Sequence, residues 1–469
     1  MRDLTNKDVL VIGLGGRGRA ACELLRRNGA RVVAVDGANN EDLQAGAERL
    51  RPLGIEVALG VSSPPPRNFS LAVLSPAAPA NGQLVASVLR QNVPIIGELE
   101  LGFQESRCLC IAIAGTNGKG TTAELVEQTL VQNHRKTILS GHHARPVCSV
   151  VDETKELDFL ILQVNSFQLE STQYFRPAVA VLMNLAPAHL KHYSNQKNYV
   201  RANARLFCNQ QLFDWAIIQR DALHSLRALD LPVPAKTISF SATSEDADIY
   251  LDRGLLVSRL PNWPGPLLDM AQCRLRGVHN AENLMAALAV GHVLRLPLEA
   301  MVGALKTFNA GPHRFELVAE IDGVQFINDS KAANLDALQK GLLASRPGNA
   351  GEPNIYLIAG RQEAGMQFHD LGPLLSKRVK RAYILGDGNG RIHSAWALFT
   401  PCVVARSLLE AVTDAAKSAA VGDVVLFSPA CSSFDPFRDY EECGQAFCNA
   451  VKSISGGESG THPNIRGKS

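Results

Sequence analysis

The 469-residue chain has no run of the ~20 consecutive apolar residues that a membrane helix requires. Its ten cysteines form no C-x-x-C pair, so neither a zinc ribbon nor a short disulfide framework is read, and a reducing cytoplasm is the expected compartment. Neither sign of charge dominates. The net charge of +2 gives no electrostatic footprint for nucleic acid. The opening "MRDLTNKDVLVIGLGG" has only a short apolar run, broken at once by glycine, which argues against a secretory signal. Low complexity is confined to the end, where residues 457–469 read as a disordered tail. What remains is ordinary for a globular protein: 46% hydrophobic and 20% charged residues, enough chain for about three domains of ~150 residues.

Short apolar runs alternate with helical patterns throughout, which predicts an α/β protein with parallel, doubly wound sheets. Residues 1–97 hold strands at "DVLVIGLG", "RVVAVD" and "LAVLSPAAP". Residues 98–310 hold strands at "CLCIAIAG", "KTILSG", "FLILQVNS", "AVAVLMNLA" and "WAIIQ", then a helical end at "GVHNAENLMAALAVGHVLR". A linker at "TFNAGPHRFE" leads into residues 311–456, with strands at "VQFIND", "NIYLIAG", "RAYILG" and "DVVLFSP".

Two glycine loops carry the chemistry. "GLGGRG" places Gly13, Leu14, Gly15, Gly16 and Gly18 between a strand and a helix, and Asp36 ends the next strand. Such a turn lets a diphosphate approach the backbone N–H groups of a helix start. Either a dinucleotide or a nucleotide sugar satisfies it; a turn that only packs helix on strand looks the same. "GTNGKGTT" supplies Gly115, Thr116, Asn117, Gly118, Lys119, Gly120, Thr121 and Thr122. It departs from the pattern G-x-x-x-x-G-K-[S/T], with Ile113 at the first glycine and Gly120 at the hydroxyl. Its backbone suits phosphate oxygens, Lys119 suits the terminal phosphates, and the magnesium hydroxyl shifts most simply to Thr121, with Thr122 left open.

Taken together, the blocks resemble the Mur ligases. They include "VLVIGLGGRGRAA", "VLSPAAPA" with Ser75, "VPIIGELEL", "GTNGKGTT", "NSFQLE", "NLAPAHL", "YVRANARLF", "GVHNAEN", "GPHRFE", "NDSKAAN", "LIAGRQEAGMQF" and "SPACSSFDPF". The resemblance spans nearly the whole chain, and "IGELEL" and "SFQLE" point to the branch that adds D-glutamate to UDP-N-acetylmuramoyl-L-alanine. It implies a Rossmann-like first domain for the uridine diphosphate sugar, a P-loop ATPase-like central domain for ATP and magnesium, and a Rossmann-like third domain that closes over both and brings the amino acid. It implies a cytoplasmic, monomeric enzyme of cell-wall synthesis that works through an acyl phosphate. It also implies roles: Lys119 for the phosphates, His189 for the second magnesium region, Gln168 for the sugar-side substrate. Asn283, Arg314 and Asp329 fall on nucleotide contacts, and Lys331, Ser428 and Phe437 on the amino-acid side. Arg314 as a plain ion pair, His189 as a structural histidine and Phe437 as core are the competing readings.

The departures fall on functional positions. Where the family has a magnesium-binding glutamate, this chain has Gln163; where it has a carbamylated lysine, Asn203. Ala188 and Lys191 replace acidic neighbours of the histidine, Ala364 replaces a lysine for the D-glutamate side chain, Ala333 a threonine, and His142 falls near a turn asparagine. Magnesium prefers hard anionic oxygen, so metal affinity is expected to fall. Arg361 is a candidate replacement for the missing lysine. Other readings compete: a folate-type polyglutamate ligase, which the long α/β region before Ala114 opposes, a Mur-type ligase of different amino-acid specificity, and a catalytically weak or silent precursor-binding homologue.

Overall fold

The computed structural model describes residues 3–455 except 77, 80–81, 143, 188–191, 361–367, 387–389 and 432–436. His189, Ala188, Lys191, Arg361, Ala364 and the tail therefore lie outside the described residues. The chain forms two compact units, the first made of Met1–His189, Tyr193–Arg274 and His279–Phe308, the second chiefly of Asn309–Ser469.

The first unit contains two sheets. In one, β1 (Asp8–Ile12), β2 (Arg31–Asp36), β3 (Glu56–Leu59), β4 (Leu71–Leu74) and β5 (Ile95–Gly97) run parallel in the order β3-β2-β1-β4-β5. Strand order reverses between β1 and β4, the place where a ligand crevice opens in such sheets. Apolar side chains on β1, Val9 to Ile12, are buried on both faces, as continuous apolar runs require.

The other sheet has nine strands: β6 (Leu109–Ala114), β7 (Thr137–Gly141), β8 (Phe159–Gln163), β9 (Val179–Leu182), β10 (Trp215–Gln219), β11 (Lys236–Ser241), β12 (Ile249–Asp252), β13 (Leu255–Ser258) and β14 (Gly265–Asp269). Their order is β14-β13-β12-β11-β10-β9-β6-β8-β7, with only the β12–β13 and β13–β14 pairings antiparallel. The sequence reading missed β11 to β14. They are short and alternate weakly, and a tight turn at Arg253 and Gly254, both with positive φ, joins β12 to β13.

A seam joins these two sheets at the helix Glu98–Glu105, where the sequence had placed a domain boundary. The buried Glu100 carboxylate accepts the backbone N–H groups of Gln173 (3.0 Å), Tyr174 (2.9 Å) and Phe175 (3.1 Å). Glu98 accepts the N–H of Cys148 at 2.8 Å, and Gly97 donates to the Ser171 carbonyl at 2.8 Å. The acidic "IGELEL" block thus works here as internal backbone capping.

The second unit has β15 (Glu316–Ile321), β16 (Val324–Asn328), β17 (Ile355–Ala359), β18 (Val379–Leu385), β19 (Cys402–Ala405) and β20 (Val424–Phe427), ordered β15-β16-β20-β17-β18-β19. Only β15 is antiparallel to its neighbour. The edge strands β15 and β19 were not read from sequence, because exposure on one or both faces breaks up their apolar pattern. Among the described residues no helix is long and apolar enough to cross a membrane.

Candidate active site

The first glycine loop leaves β1 at Gly13, whose φ of 90° lies in the left-handed region. A Cβ there would stand 3.0 Å from those of Ala78 and Ser75, so glycine is needed on both counts. At Gly18 a Cβ would lie 1.8 Å from the Gly13 carbonyl oxygen, which fixes the close approach of helix Gly16–Arg27 to the turn. Asp36 holds the loop: its carboxylate accepts the N–H of Leu14 at 2.8 Å and of Ala38 at 2.9 Å. A cavity of about 510 Å³ opens here, lined by Gly13, Gly15, Asp36 and Ser75 among others, with no lysine or arginine among its described lining residues. Gly16 begins the helix, and no side chain caps its N-terminus, so the first N–H groups and the helix dipole are available to an anion.

The second loop leaves β6 and enters helix Lys119–Gln132. Gly115 and Gly118 take φ of 125° and 85°, values that disfavour any side chain. Lys119 Nζ donates to the carbonyls of Gly115 (2.7 Å) and Thr116 (2.8 Å), which keeps the ammonium against the loop. Asn184 braces the same turn. Its backbone carbonyl accepts the Thr116 N–H (2.8 Å), its Oδ1 accepts the Asn117 N–H (3.0 Å), and its Nδ2 donates to the Asn117 carbonyl (2.9 Å). The Thr116 hydroxyl donates to the Ala186 carbonyl at 3.0 Å and lies 2.9 Å from the buried Tyr199 hydroxyl, whose pKa burial raises.

The structure separates the two threonines. Thr122 is fully buried, its hydroxyl donating to Asn283 Oδ1 at 3.2 Å. Thr121 is half-buried in the first turn of the helix. Asn283, expected on the nucleotide, is itself buried under the loop, and its Oδ1 would stand 2.4 Å from a Cβ on Gly118. It positions the loop from below. Gln168 uses its amide oxygen to accept the N–H of Asn165 (3.2 Å) and its own N–H donates to Asn165 Oδ1 (2.9 Å), a reciprocal helix cap; its buried Nε2 has no hydrogen-bond partner.

The donors near the second loop decide the fit of magnesium. A nucleotide-borne ion draws its charge from phosphate oxygens, and a hydroxyl at Thr121 suits it. Among the described residues, the donors implied for a second, protein-held ion suit it poorly. Gln163 ends β8, paired in register with Ile113 of β6, and Asn203 is fully buried with Nδ2 bonded to the Tyr199 carbonyl (2.9 Å) and Oδ1 unpartnered. Both are neutral amides. Among the described residues no group of three or more His, Cys, Asp or Glu side chains could hold a metal.

In the second unit, Asp329 and Ser428 meet: the buried Ser428 hydroxyl donates to Asp329 Oδ2 at 3.1 Å, and the Phe315 N–H donates to Oδ1 at 3.2 Å. Desolvation pushes the Asp329 carboxyl up to about 7, against the lowering effect of these bonds. Arg314 lies between His313 and Phe315, both with positive φ of 70° and 50°, a strained turn of the kind that accumulates at functional sites. Lys331 Nζ donates to the Tyr440 hydroxyl (3.0 Å) and sits 4.6 Å from that ring's centre. Phe437 is half-buried and packs against the apolar cluster around Phe427 and Phe447. Ala333 adds no polar group beside Lys331. The sequence reading had assigned no role to Asn184, Tyr199 or Tyr440. Asn184 and Tyr199 lie in quoted blocks, but nothing in their spacing reveals what they bond.

Comparisons with known proteins follow the same lines. Residues 113–291 match the Mur ligase middle domain and residues 313–431 the Mur ligase glutamate ligase domain. A UDP-N-acetylmuramoylalanine–D-glutamate ligase of Acidobacterium capsulatum is 36% identical over 97% of this chain and 98% of that protein. One from Geobacillus kaustophilus is 36% identical over 96% and 98%. Among solved structures, a MurF ligase of Thermotoga maritima in complex with ADP aligns with a TM-score of 0.61 at 17% identity, covering 96% of each chain, a likeness of fold. Matched in both its middle and its C-terminal parts and over almost its full length, this chain belongs to the Mur ligase family.

Proposed function

We propose that the chain is an ATP-dependent ligase that joins D-glutamate to UDP-N-acetylmuramoyl-L-alanine through an acyl phosphate. The observation that carries this reading is the pair of glycine loops within one compact unit, differing in design. The first opens on a cavity of about 510 Å³ and has the form for a nucleotide sugar; the second carries Lys119 and has the form for a triphosphate. The relatives that bear this activity in their names support it.

In this reading residues 1–97 hold the sugar nucleotide, 98–310 the ATP and 311–456 the amino acid. A carboxylate oxygen of the substrate bonds to the γ-phosphorus and ADP leaves. The amine then bonds to the acyl carbon, phosphate leaves, and the amine's proton passes to solvent or base. The protein's part is positioning and charge. Lys119 lowers negative charge on the terminal phosphates. Asn184, Asn283 and the Thr116–Tyr199 pair keep the loop N–H groups aimed. Asp329 and Ser428 hold the turn that carries Lys331, which with Tyr440 serves the amino-acid side. Thr121 would offer a hydroxyl to magnesium carried by the nucleotide, which would supply charge neutralisation at the phosphate oxygens.

The test is phosphate release from ATP with the muramoyl-alanine substrate, across an amino-acid panel and a magnesium titration. D-glutamate is expected to give the highest kcat/KM. The neutral Gln163 and Asn203 favour one second reading, a precursor-binding protein without catalysis, which predicts binding but no release at any magnesium concentration.

A further inference from the structure

Resting on that reading, the charge between the two glycine loops raises a problem that one arginine answers. A sugar diphosphate and a triphosphate both bring negative charge to this region. The cavity at the first loop has no lysine or arginine among its described lining residues. Of the positions the resemblance implies for a second metal ion, the two described ones, Gln163 and Asn203, are neutral amides, and His189 lies outside the described residues.

Arg17 is the second residue of helix Gly16–Arg27, whose N-cap, Gly15, lines the cavity. Its guanidinium reaches out of the first sheet's loop and donates to the carbonyl of Gly141, at 3.1 Å, at the end of β7. Gly141 is the register partner of Gln163, and the Gln163 carbonyl lies where a Cβ on Gly141 would be 2.3 Å away. Arg17 therefore spans from the first glycine loop to the end of β7, which β8 separates from the strand that leads into the phosphate loop. Its Nε is buried and has no hydrogen-bond partner. The neighbouring Glu98 is fully buried, and its Oε2 is also unpartnered, so the two do not close into a salt bridge. Burial raises the Glu98 pKa, opposed first by the Cys148 N–H and then by the Arg17 charge. A buried N–H of a charged group with no acceptor is costly, and such orphans in native structures call for an explanation. An anionic oxygen of a bound substrate would satisfy it.

We propose that Arg17 is a built-in cation for the diphosphate of the sugar-nucleotide substrate, and that this chain manages the charge between its loops with that guanidinium and a single nucleotide-borne magnesium ion, without a second protein-held one. An arginine suits the task because it stays charged at any working pH and offers several N–H groups in a fixed plane.

The test uses the full chain. Mn²⁺ bound in the presence of a non-hydrolysable ATP analogue is counted by electron paramagnetic resonance, and UDP-N-acetylmuramoyl-L-alanine binding is measured by calorimetry with and without EDTA. The wild type is expected to bind one Mn²⁺ per chain and to hold the sugar nucleotide within threefold as well in EDTA. Arg17→Gln is expected to weaken sugar-nucleotide binding at least tenfold while leaving the affinity for the ATP analogue within threefold. Arg17→Lys, which keeps the charge and covers the case in which the glutamine variant does not fold, is expected to fall between. Two Mn²⁺ sites of comparable affinity, or a folded Arg17→Gln or Arg17→Lys protein that binds the sugar nucleotide as tightly as wild type, overturns the proposal. A wild type that binds no sugar nucleotide at all overturns the ligase reading itself.

Discussion

Replacing Asn184 with alanine tests how the phosphate loop is held. The side chain makes two hydrogen bonds to Asn117, 3.0 Å through Oδ1 and 2.9 Å through Nδ2. The bond from Thr116 N–H to the Asn184 carbonyl is backbone to backbone and survives. Each lost bond contributes about 1 kcal/mol, so ordering the loop around phosphate should cost about 2 kcal/mol more. That is roughly a 30-fold loss of affinity for ATP. Asn184→Asp keeps the acceptor for the Asn117 N–H but loses the donor, and adds a negative charge near the phosphates, so it should lose at least as much. Calorimetry with a non-hydrolysable ATP analogue reads the effect, and thermal melting checks the fold. The sugar nucleotide, which the proposed function assigns to the other loop, should keep its affinity within threefold. An alanine variant that binds the analogue within threefold of wild type would refute the bracing role.

Other perturbations separate neighbouring residues. Thr121→Val should raise the magnesium concentration needed for half-maximal phosphate release at least tenfold, whereas Thr122→Val should lower the melting temperature without moving that requirement. Gly18→Ala places a methyl group 1.8 Å from the Gly13 carbonyl oxygen and should destabilise the first unit by more than about 2 kcal/mol in urea unfolding, with loss of sugar-nucleotide binding. For Asp329, burial raises the folded pKa to about 7, well above the ordinary carboxylate range, so the folded state binds the proton more tightly. The stabilisation from that proton is full below pH ~4 and is lost as pH rises towards 7. Urea unfolding between pH 5 and 8 should show a decline in stability that Asp329→Asn removes; an equal decline in both proteins would count against it.

Strands bounded by glycine turns were legible because their burial on both faces leaves an unbroken apolar run, as in β1 and β6. The hairpin strands β12 to β14 and the edge strands β15 and β19 were not, since exposure dilutes the pattern. The glycine loops could be read because Gly13, Gly115 and Gly118 take positive φ values that disfavour a side chain. What stayed hidden was which way a side chain turns. Thr121 and Thr122 are adjacent in sequence but lie ~100° apart around a helix, so one is half-buried and the other sits fully in the core. Asn283 and Gln168 read as ligand contacts, and sequence does not reveal that their amide oxygens also accept bonds from the Thr122 hydroxyl and the Asn165 N–H. Glu98 and Glu100 marked a substrate class by their block, while their carboxylates cap backbone N–H groups across the seam. Arg17 drew no notice in a glycine-rich turn, because its reach to Gly141 spans 124 residues of sequence.

Mass spectrometry of the sugar-nucleotide pool after incubation with ATP, magnesium, UDP-N-acetylmuramoyl-L-alanine and D-glutamate tests the ligase assignment most directly. The prediction is a product heavier by one glutamyl residue, formed with one phosphate released per amide and absent when Lys119 is replaced by alanine. An unchanged sugar nucleotide at every magnesium concentration, from protein that binds both ATP and the sugar nucleotide, would contradict it.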